Sequence, residues 1–579
     1  MTRRPAVSGL KPAAAGAFKF VLFPLFGYFV CFCVSTYPLI TQFSSRFYGD
    51  EGDGMQNLWN IWHMRRAITS FTNPYFSSMI HYPEGTSLAA HTLSPVNAVF
   101  GVILESVLAP YQAYNLMIIL AVVTNGLAAF FLARHFCRNY WPSILAGFIY
   151  AFSGFMMLHL RTHINLISLE WLPLLLLFWH KLLTRPRYAT AGWTALFFIL
   201  TFYSELYYAF YGGLLLLIFA MAVLLRRGAE SFLTRRVLGP IGLFGVISAI
   251  AVGPFLFYLY QGASNGGFVD MHDPVNYSNS LLAFVIPGPA NRWFYGLLKY
   301  GEGGGQGFVG LSVWGLILTG LLLRRGRKQK VNNNFSAGIN DSGKDLPGGR
   351  IFIFWLLVMI VFLLLSLGPV LHIVNTKISL PMPYTLLEKL PLTNMGGVPE
   401  RMMAVVILAA AMLCALSLTK IEKNIKRPKL ALAAVFLVIA VEYLPFNSRH
   451  GNILQPPAYA YALRNLPPGA VFDYNDPYYR VEPPGKTLFA QMIHGHPIYG
   501  GYISRRPMTV ARKDETIYYY FKDKSFEMLC YYGFRYVVAP AGTDISDARL
   551  DYADTSDKIF EFDTSSNRCR APISVFGRP

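Results

Sequence analysis

The chain has 579 residues, of which 54% are hydrophobic and only 14% charged, and its formal net charge is +19. Soluble domains carry about a quarter charged residues, so this composition, with a mean hydropathy of +0.38, excludes an ordinary soluble globular protein. The positive charge does not signify nucleic-acid binding, because Lys and Arg gather in short clusters between apolar runs, as they do in cytoplasmic loops of membrane proteins.

A basic N-terminus, with Arg3, Arg4, Lys11 and Lys19, leads into an apolar run from Ala17 to Ile40. The run is longer than a signal-peptide core and has no small-residue cleavage site, so it reads as an anchor. Apolar segments of the right length predict about 11 spans, each near the ~20 residues a bilayer needs. They lie near 17–40, 112–133, 141–158, 166–183, 189–205, 207–226, 236–260, 307–323, 351–370, 399–418 and 429–445. With the N-terminus inside, Arg134/Arg138, Lys181/Arg185/Arg187, Arg226/Arg227/Arg235/Arg236, Arg324 to Lys330 and Lys420 to Lys429 all fall on the cytoplasmic side. That holds if 95–110, short and carrying Glu105, stays in the outer interface. Residues 41–111, 159–165, 261–306 and 371–398 then face outward.

The stretch 324–350 is polar and rich in Asn and Gly, the composition of a disordered cytoplasmic loop. Residues 1–445 thus form a transmembrane domain. Residues 446–579 form a small mixed α/β extracytoplasmic domain, with short strands predicted at 469–473 and 534–539. Of the six cysteines, Cys530 and Cys569 lie in this region and are able to pair if it faces an oxidising compartment. No internal repeat is evident.

The first outer loop opens with Gly49-Asp50-Glu51-Gly52-Asp53-Gly54, three carboxylates beside a membrane span. Acids near hydrocarbon are costly unless they pair, bind a metal or do chemistry. Asp53 to Arg66 has helical periodicity. Asp53, Gln56, Asn57, Asn60 and His63 form a polar stripe, and Met55, Leu58, Trp59 and Trp62 an apolar one. The tryptophans predict a helix lying flat on the outer leaflet. Asp53 also suits an N-cap closed by Gln56, which makes Asp50 the stronger candidate base. His91, beyond the Pro83 and Gly85 turns, is a phosphate or hydroxyl contact or a turn-stabilising group.

Downstream, His159, Arg161 and His163 join two predicted spans, with Glu170 seven residues past His163. Two His four apart share a helix face, but zinc needs a third ligand, so a sugar- or phosphate-contacting cluster with Arg161 as cation is the preferred reading. Glu205 lies between apolar runs and requires a partner. Tyr207 and Tyr208 beside it read as an ordinary aromatic belt. Arg401, in Val398-Pro399-Glu400-Arg401, opens a span from outside and is placed to grip a lipid phosphate or to snorkel.

Gly49 to Trp62, Tyr82-Pro83-x-Gly85 with His91 to Asn97, His159 to Pro173 and Val398 to Arg401 resemble bacterial GT-C class membrane glycosyltransferases that use polyprenyl-phosphate sugars. Gln491 to Arg505 is similar to the outer C-terminal domain of the same group. The resemblance implies an α-helical polytopic GT-C fold and an acid in the first outer loop, matching Asp50, Glu51 or Asp53. It further implies a polyprenyl-phosphate-linked sugar and a glycan or lipid acceptor as partners. The second outer loop here is His- and Arg-rich, where the group often carries acids.

The expected function is therefore inverting sugar transfer on the outer face of a bacterial cytoplasmic (inner) membrane. Asp50, Asp53 and Glu51 are the candidate catalytic groups. Gln56, His91, His159, Arg161, His163, Glu170, Glu205 and Arg401 are the candidate donor or acceptor contacts. A divalent cation, Mg or Mn, is the candidate cofactor, with Asp50, Asp53 and His163 as its candidate ligands. The alternatives are a transporter or flippase of a lipid-linked glycan or small solute, and a non-catalytic membrane scaffold. Transport is disfavoured because no repeat is found and the polar groups gather at one face.

Overall fold

A computed structural model describes residues 16–264, 266–269, 272–287, 307–325, 348–374, 376–389, 397–444, 450–474, 485–522, 526–545 and 548–563. Most of the predicted loop 324–350 lies outside them. Among the described residues, eight helices are long and apolar enough to cross a membrane: Phe18–Ser35, Pro110–Cys137, Tyr140–His159, Ile164–Thr184, Leu206–Arg227, Arg235–Ser264, Gly349–Ser366 and Pro399–Glu422. Three further predicted spans form the helices Tyr188–Ser204, Leu311–Arg325 and Pro428–Tyr443. These reach roughly 23–26 Å at 1.5 Å per residue, short of a ~30 Å hydrocarbon core. Pro95–Leu104 has 10 residues and is too short to span, in keeping with an interfacial segment. The chain is an integral membrane protein.

The bundle is built around Pro399–Glu422, which is buried along nearly all its length. Its run of Ala404, Ala409, Ala410, Ala411 and Ala415 lets Pro110–Cys137, Tyr140–Phe152, Leu311–Arg325 and Gly349–Ser366 pack closely around it. Arg401 sits at the N-terminal end of this central helix, so its position is set by the core. Two helices of the bundle are broken. Ser153 ends Tyr140–Phe152, and its side chain accepts from the Met156 N–H to start Gly154–His159. The short helix Ile164–Ile167 is then followed by Trp171–Thr184. The chain between these pieces carries His163.

Two short antiparallel pairs lie in the loops between the membrane helices: β1 (Phe76–Ser77) with β2 (Thr86–Ser87), and β3 (Val370–Ile373) with β4 (Thr376–Pro381). The C-terminal region contains β5 (Ala470–Asp473), β6 (Phe534–Pro540), β7 (Arg549–Ala553) and β8 (Asp557–Glu561), ordered β5-β6-β8-β7. β5 runs parallel to β6, and the other pairs are antiparallel. The two strands read from the sequence are the first two of this sheet. Cys530 is disulfide-bonded, and Cys569 lies outside the described residues.

The helix Asp53–Thr69 does not lie on the leaflet as its stripes suggested. Every residue from Gly54 to Met64 is buried, on both faces. The C-terminal region closes over it, joined to the first loop where Ile498 N–H donates to the Met79 carbonyl and His81 N–H to the Gly500 carbonyl. Most of the polar stripe finds protein partners, although Asn57 Oδ1 and His63 Nδ1 are buried without one. Gln56 Nε2 donates to the Tyr502 carbonyl at 2.9 Å, Asn57 Nδ2 to the Thr162 carbonyl at 3.2 Å and Asn60 Nδ2 to the Thr92 carbonyl at 3.0 Å. Trp59, the presumed headgroup anchor, donates its Nε1–H to Gln491 Oε1 at 2.7 Å.

Trp59→Phe removes that donor and leaves Gln491 Oε1 buried and unpaired, at a cost of about 1–3 kcal/mol. Limited proteolysis in detergent should cut the C-terminal region faster than in wild type. Unchanged cleavage would show that this bond does not hold the two parts together.

Candidate active site

The acid turn is shaped by two glycines packed against each other. A Cβ on Gly54 would lie 2.8 Å from the Gly49 Cα and 2.9 Å from the Arg161 carbonyl oxygen, so only glycine lets the turn close. Asp50 N–H donates to that same Arg161 carbonyl at 2.9 Å. Asp50 Oδ1 accepts from Gly54 N–H at 2.6 Å, which makes Asp50 the carboxylate that secures the helix start. Gly52 is the N-cap and Asp53 the first helical residue. The capping role expected of Asp53 and Gln56 therefore belongs to Asp50, which releases the Asp53 side chain.

Asp53 uses that release to meet two other segments. Its Oδ1 accepts from the Tyr502 hydroxyl at 3.0 Å. His163 Nε2 stands 3.4 Å from Oδ2, and the two side chains remain 24% (His163) and 32% (Asp53) exposed, enough for a ligand to reach them. His163 Nδ1 is 2.6 Å from Thr162 Oγ1. A tautomer with the proton on Nε2 satisfies both contacts, with the Thr162 hydroxyl donating to Nδ1. Burial, then the charge of Arg401 and the neighbouring His272, hold the His163 imidazole down to about 3, so it is neutral at pH 7. Burial pushes the Asp53 carboxyl up from its ordinary value, and the Tyr502 bond and Arg401 pull it part-way back. Burial also raises Asp50, against the pull of the Gly54 N–H, with Asp53 adding to the rise.

Arg401 links this acid pair to a cavity. Its guanidinium lies over the Tyr207 ring, 4.6 Å from the centroid. Tyr207 lines an apolar cavity of about 290 Å³ walled by Phe198, Phe202, Phe210, Tyr211 and Phe255 among others. Its lining also includes the polar residues His91, Thr92, Ser94, Ser204, Glu205 and Arg505. Tyr207 is thus a platform for a buried arginine, where the sequence suggested a belt residue. Tyr208 points elsewhere, its hydroxyl donating to the Leu166 carbonyl at 2.6 Å.

The other expected site residues are distributed differently. Glu51 is exposed and offers its backbone carbonyl to Gly485 N–H. Gln56 accepts from Thr92 Oγ1 besides holding Tyr502. His91 spends both ring nitrogens, one 2.8 Å from Asn60 Oδ1 and one accepting from Ser504 N–H at 3.2 Å, so it braces the first loop against the C-terminal region. Burial, with His63 and Arg505, holds it down to about 3. His159 is buried with Nδ1 2.8 Å from the Phe155 carbonyl and packs edge-on against His163. Arg161 Nε donates to the Tyr48 carbonyl at 3.1 Å and stabilises the acid turn. Glu205 starts Leu206–Arg227 by accepting from Tyr207 N–H, and it accepts from Asn165. Glu170 heads Trp171–Thr184, and its Oε2 is buried with no hydrogen-bond partner.

The sequence reading missed Tyr502, Arg505 and His272. For Tyr502 and Arg505 the signal was the stretch Gln491–Arg505, which marked the region and not the residues; His272 lies in the predicted loop 261–306 with no motif of its own. Among the described residues, Asp50, Asp53 and His163, the candidate ligands of a divalent cation, do not form a group of three metal-holding His, Cys, Asp or Glu side chains.

Residues 24–450 match the model of a protein family described as a domain of unknown function, DUF6311. The chain belongs to this family. Compared by sequence with curated proteins, it has no match. Among solved structures, it is similar to the arabinofuranosyltransferase AftD from Mycobacteria, with a TM-score of 0.53 and 12% identity, covering 97% of this chain and 42% of AftD. The DUF6311 chain therefore spans less than half the length of that relative. It is also similar to the Archaeoglobus fulgidus oligosaccharyltransferase, with TM-score 0.43, 12% identity and coverage of 90% and 69%. A third similar structure is ArnT from Cupriavidus metallidurans, with TM-score 0.41, 12% identity and coverage of 97% and 100%. The AftD match gives this DUF6311 protein the GT-C membrane fold.

If Asp53 acts ionised, activity falls as pH drops through its carboxyl pKa. Tyr502→Phe removes a bond that favours the carboxylate, so that pKa rises and the acidic limb moves to higher pH. An unmoved limb in a pH–rate profile would exclude Asp53 as the group that titrates.

Proposed function

We propose that this protein is an inverting glycosyltransferase that moves a sugar from a polyprenyl-phosphate carrier to a glycan or lipid acceptor. One observation carries the reading. A base, a cation and an apolar cavity follow one another as Asp53–His163, Arg401 on Tyr207, and the aromatic-walled pocket. An amphiphile with an isoprenoid tail, a phosphate and a sugar presents the same order of chemistry. The GT-C fold supports it.

In the proposed step, the carboxylate of Asp53 takes the proton of an acceptor hydroxyl. That oxygen attacks C1 of the sugar, and the C1–O bond to the phosphate breaks with its electron pair leaving on the lipid phosphate. Arg401 offsets the charge developing there. Tyr502 and His163 position the carboxylate. A single displacement inverts the anomeric centre.

The site is proposed to face outward across a bacterial cytoplasmic membrane, with the C-terminal region extracytoplasmic. Two features support this orientation: the Lys and Arg clusters at the opposite loop ends, and the disulfide at Cys530, a bond of oxidising compartments.

Asp53→Asn in membranes supplied with labelled lipid-linked sugar should lower turnover by about 10²–10⁴-fold. Asp50→Asn should cost less, since Asp50 acts through the turn. Full turnover in Asp53→Asn, or a product that keeps the donor's anomeric configuration, would refute the assignment.

A further inference from the structure

We propose that Arg505, brought to the cavity by the C-terminal region, is a second phosphate-binding guanidinium of the donor site and works with Arg401 around Tyr207. This rests on the lipid-phosphate donor reading above and adds a residue from a different part of the chain to it.

Arg505 lies on the segment Gly500–Arg506, which threads between the membrane bundle and the first loop. Its neighbours are anchored on either side. The Tyr502 hydroxyl holds Asp53, Ser504 Oγ is 3.0 Å from Thr92 Oγ1, and Arg506 Nη1 lies 3.3 Å from Asp514 Oδ2. His81 Nδ1 meets the same Asp514 oxygen at 2.7 Å. Arg505 is thereby delivered to a fixed place.

That place is the cavity lining, where Arg505 is 7% exposed. Its Nη2–H donates to the Tyr207 hydroxyl at 3.0 Å and its Nη1–H to the Ala90 carbonyl at 3.4 Å. Arg401 stacks on the face of the same tyrosine. His272, whose Nδ1 is buried with no hydrogen-bond partner, lies within electrostatic reach of both guanidinium groups. Two planar donor forks on one phenol, beside an apolar cavity, suit a phosphate ester on a hydrocarbon tail. A guanidinium matches phosphate with two parallel N–H bonds, and its attraction strengthens away from water. A purely structural Arg505 would only staple Ala90 to Tyr207, and removing it would not discriminate a phosphate ester from an alcohol.

The test is equilibrium binding of farnesyl phosphate, farnesol and inorganic phosphate to the purified full-length protein in detergent. Wild type should bind farnesyl phosphate at least tenfold more tightly than farnesol, with inorganic phosphate weaker than both. Arg505→Gln should bring farnesyl phosphate down to the affinity of farnesol while farnesol binding stays unchanged. Arg505→Lys keeps the charge without the fork and serves if the Gln variant does not remain monodisperse. It should lose most of the preference. Retention of the full preference in either variant overturns the role of Arg505 and leaves the donor reading standing. Absence of any preference in wild type sinks the donor reading itself.

Discussion

The site depends on burying a helix whose two faces differ in chemistry. Asp53–Thr69 has a polar stripe and an apolar stripe, and the fold covers both. A polar face is buried at low cost only if each group finds a partner. Gln56 and Asn57 reach main-chain carbonyls of Tyr502 and Thr162, Asn60 reaches Thr92, and Trp59 meets Gln491. These contacts come from the C-terminal region, the broken-helix segment and the first loop itself. The helix is the piece against which the parts of the protein align. Its first residue, Asp53, lies where they converge.

Arg401 is fixed by a different constraint. It opens the most deeply buried helix of the bundle, and its guanidinium rests on Tyr207. A charge in that position is tolerable because an aromatic face and nearby carboxylates meet it. The acid pair thus comes from the loop side and the cation from the membrane core. Tyr502 and Arg505, three residues apart, tie both to the C-terminal region.

Apolar runs made the membrane helices legible, and β-branched and aromatic clusters did the same for β5 and β6. The motif order singled out Asp53, His163 and Arg401, and the structure brings His163 within 3.4 Å of Asp53. The covering of the first-loop helix was not legible, because periodicity reveals a polar face without revealing what packs on it. Which acid secures the helix start was misread for a local reason. Capping depends on the backbone angles of Gly52 and on the Gly49–Gly54 contact, and the residue types alone favoured Asp53 for that role. Arg505 and Tyr207 are 298 residues apart, and no local pattern joins them. Tyr207 looked like one more interfacial aromatic.

The central claim is that Asp53 consumes a lipid-carried sugar. Profiling lipid-linked sugars in membranes of cells carrying wild-type protein or Asp53→Asn measures this in place. The account predicts that one lipid-phosphate sugar accumulates in the variant while the matching sugar disappears from an outer glycan or lipid. Identical profiles in the two membranes, with both proteins present at equal levels, would contradict it.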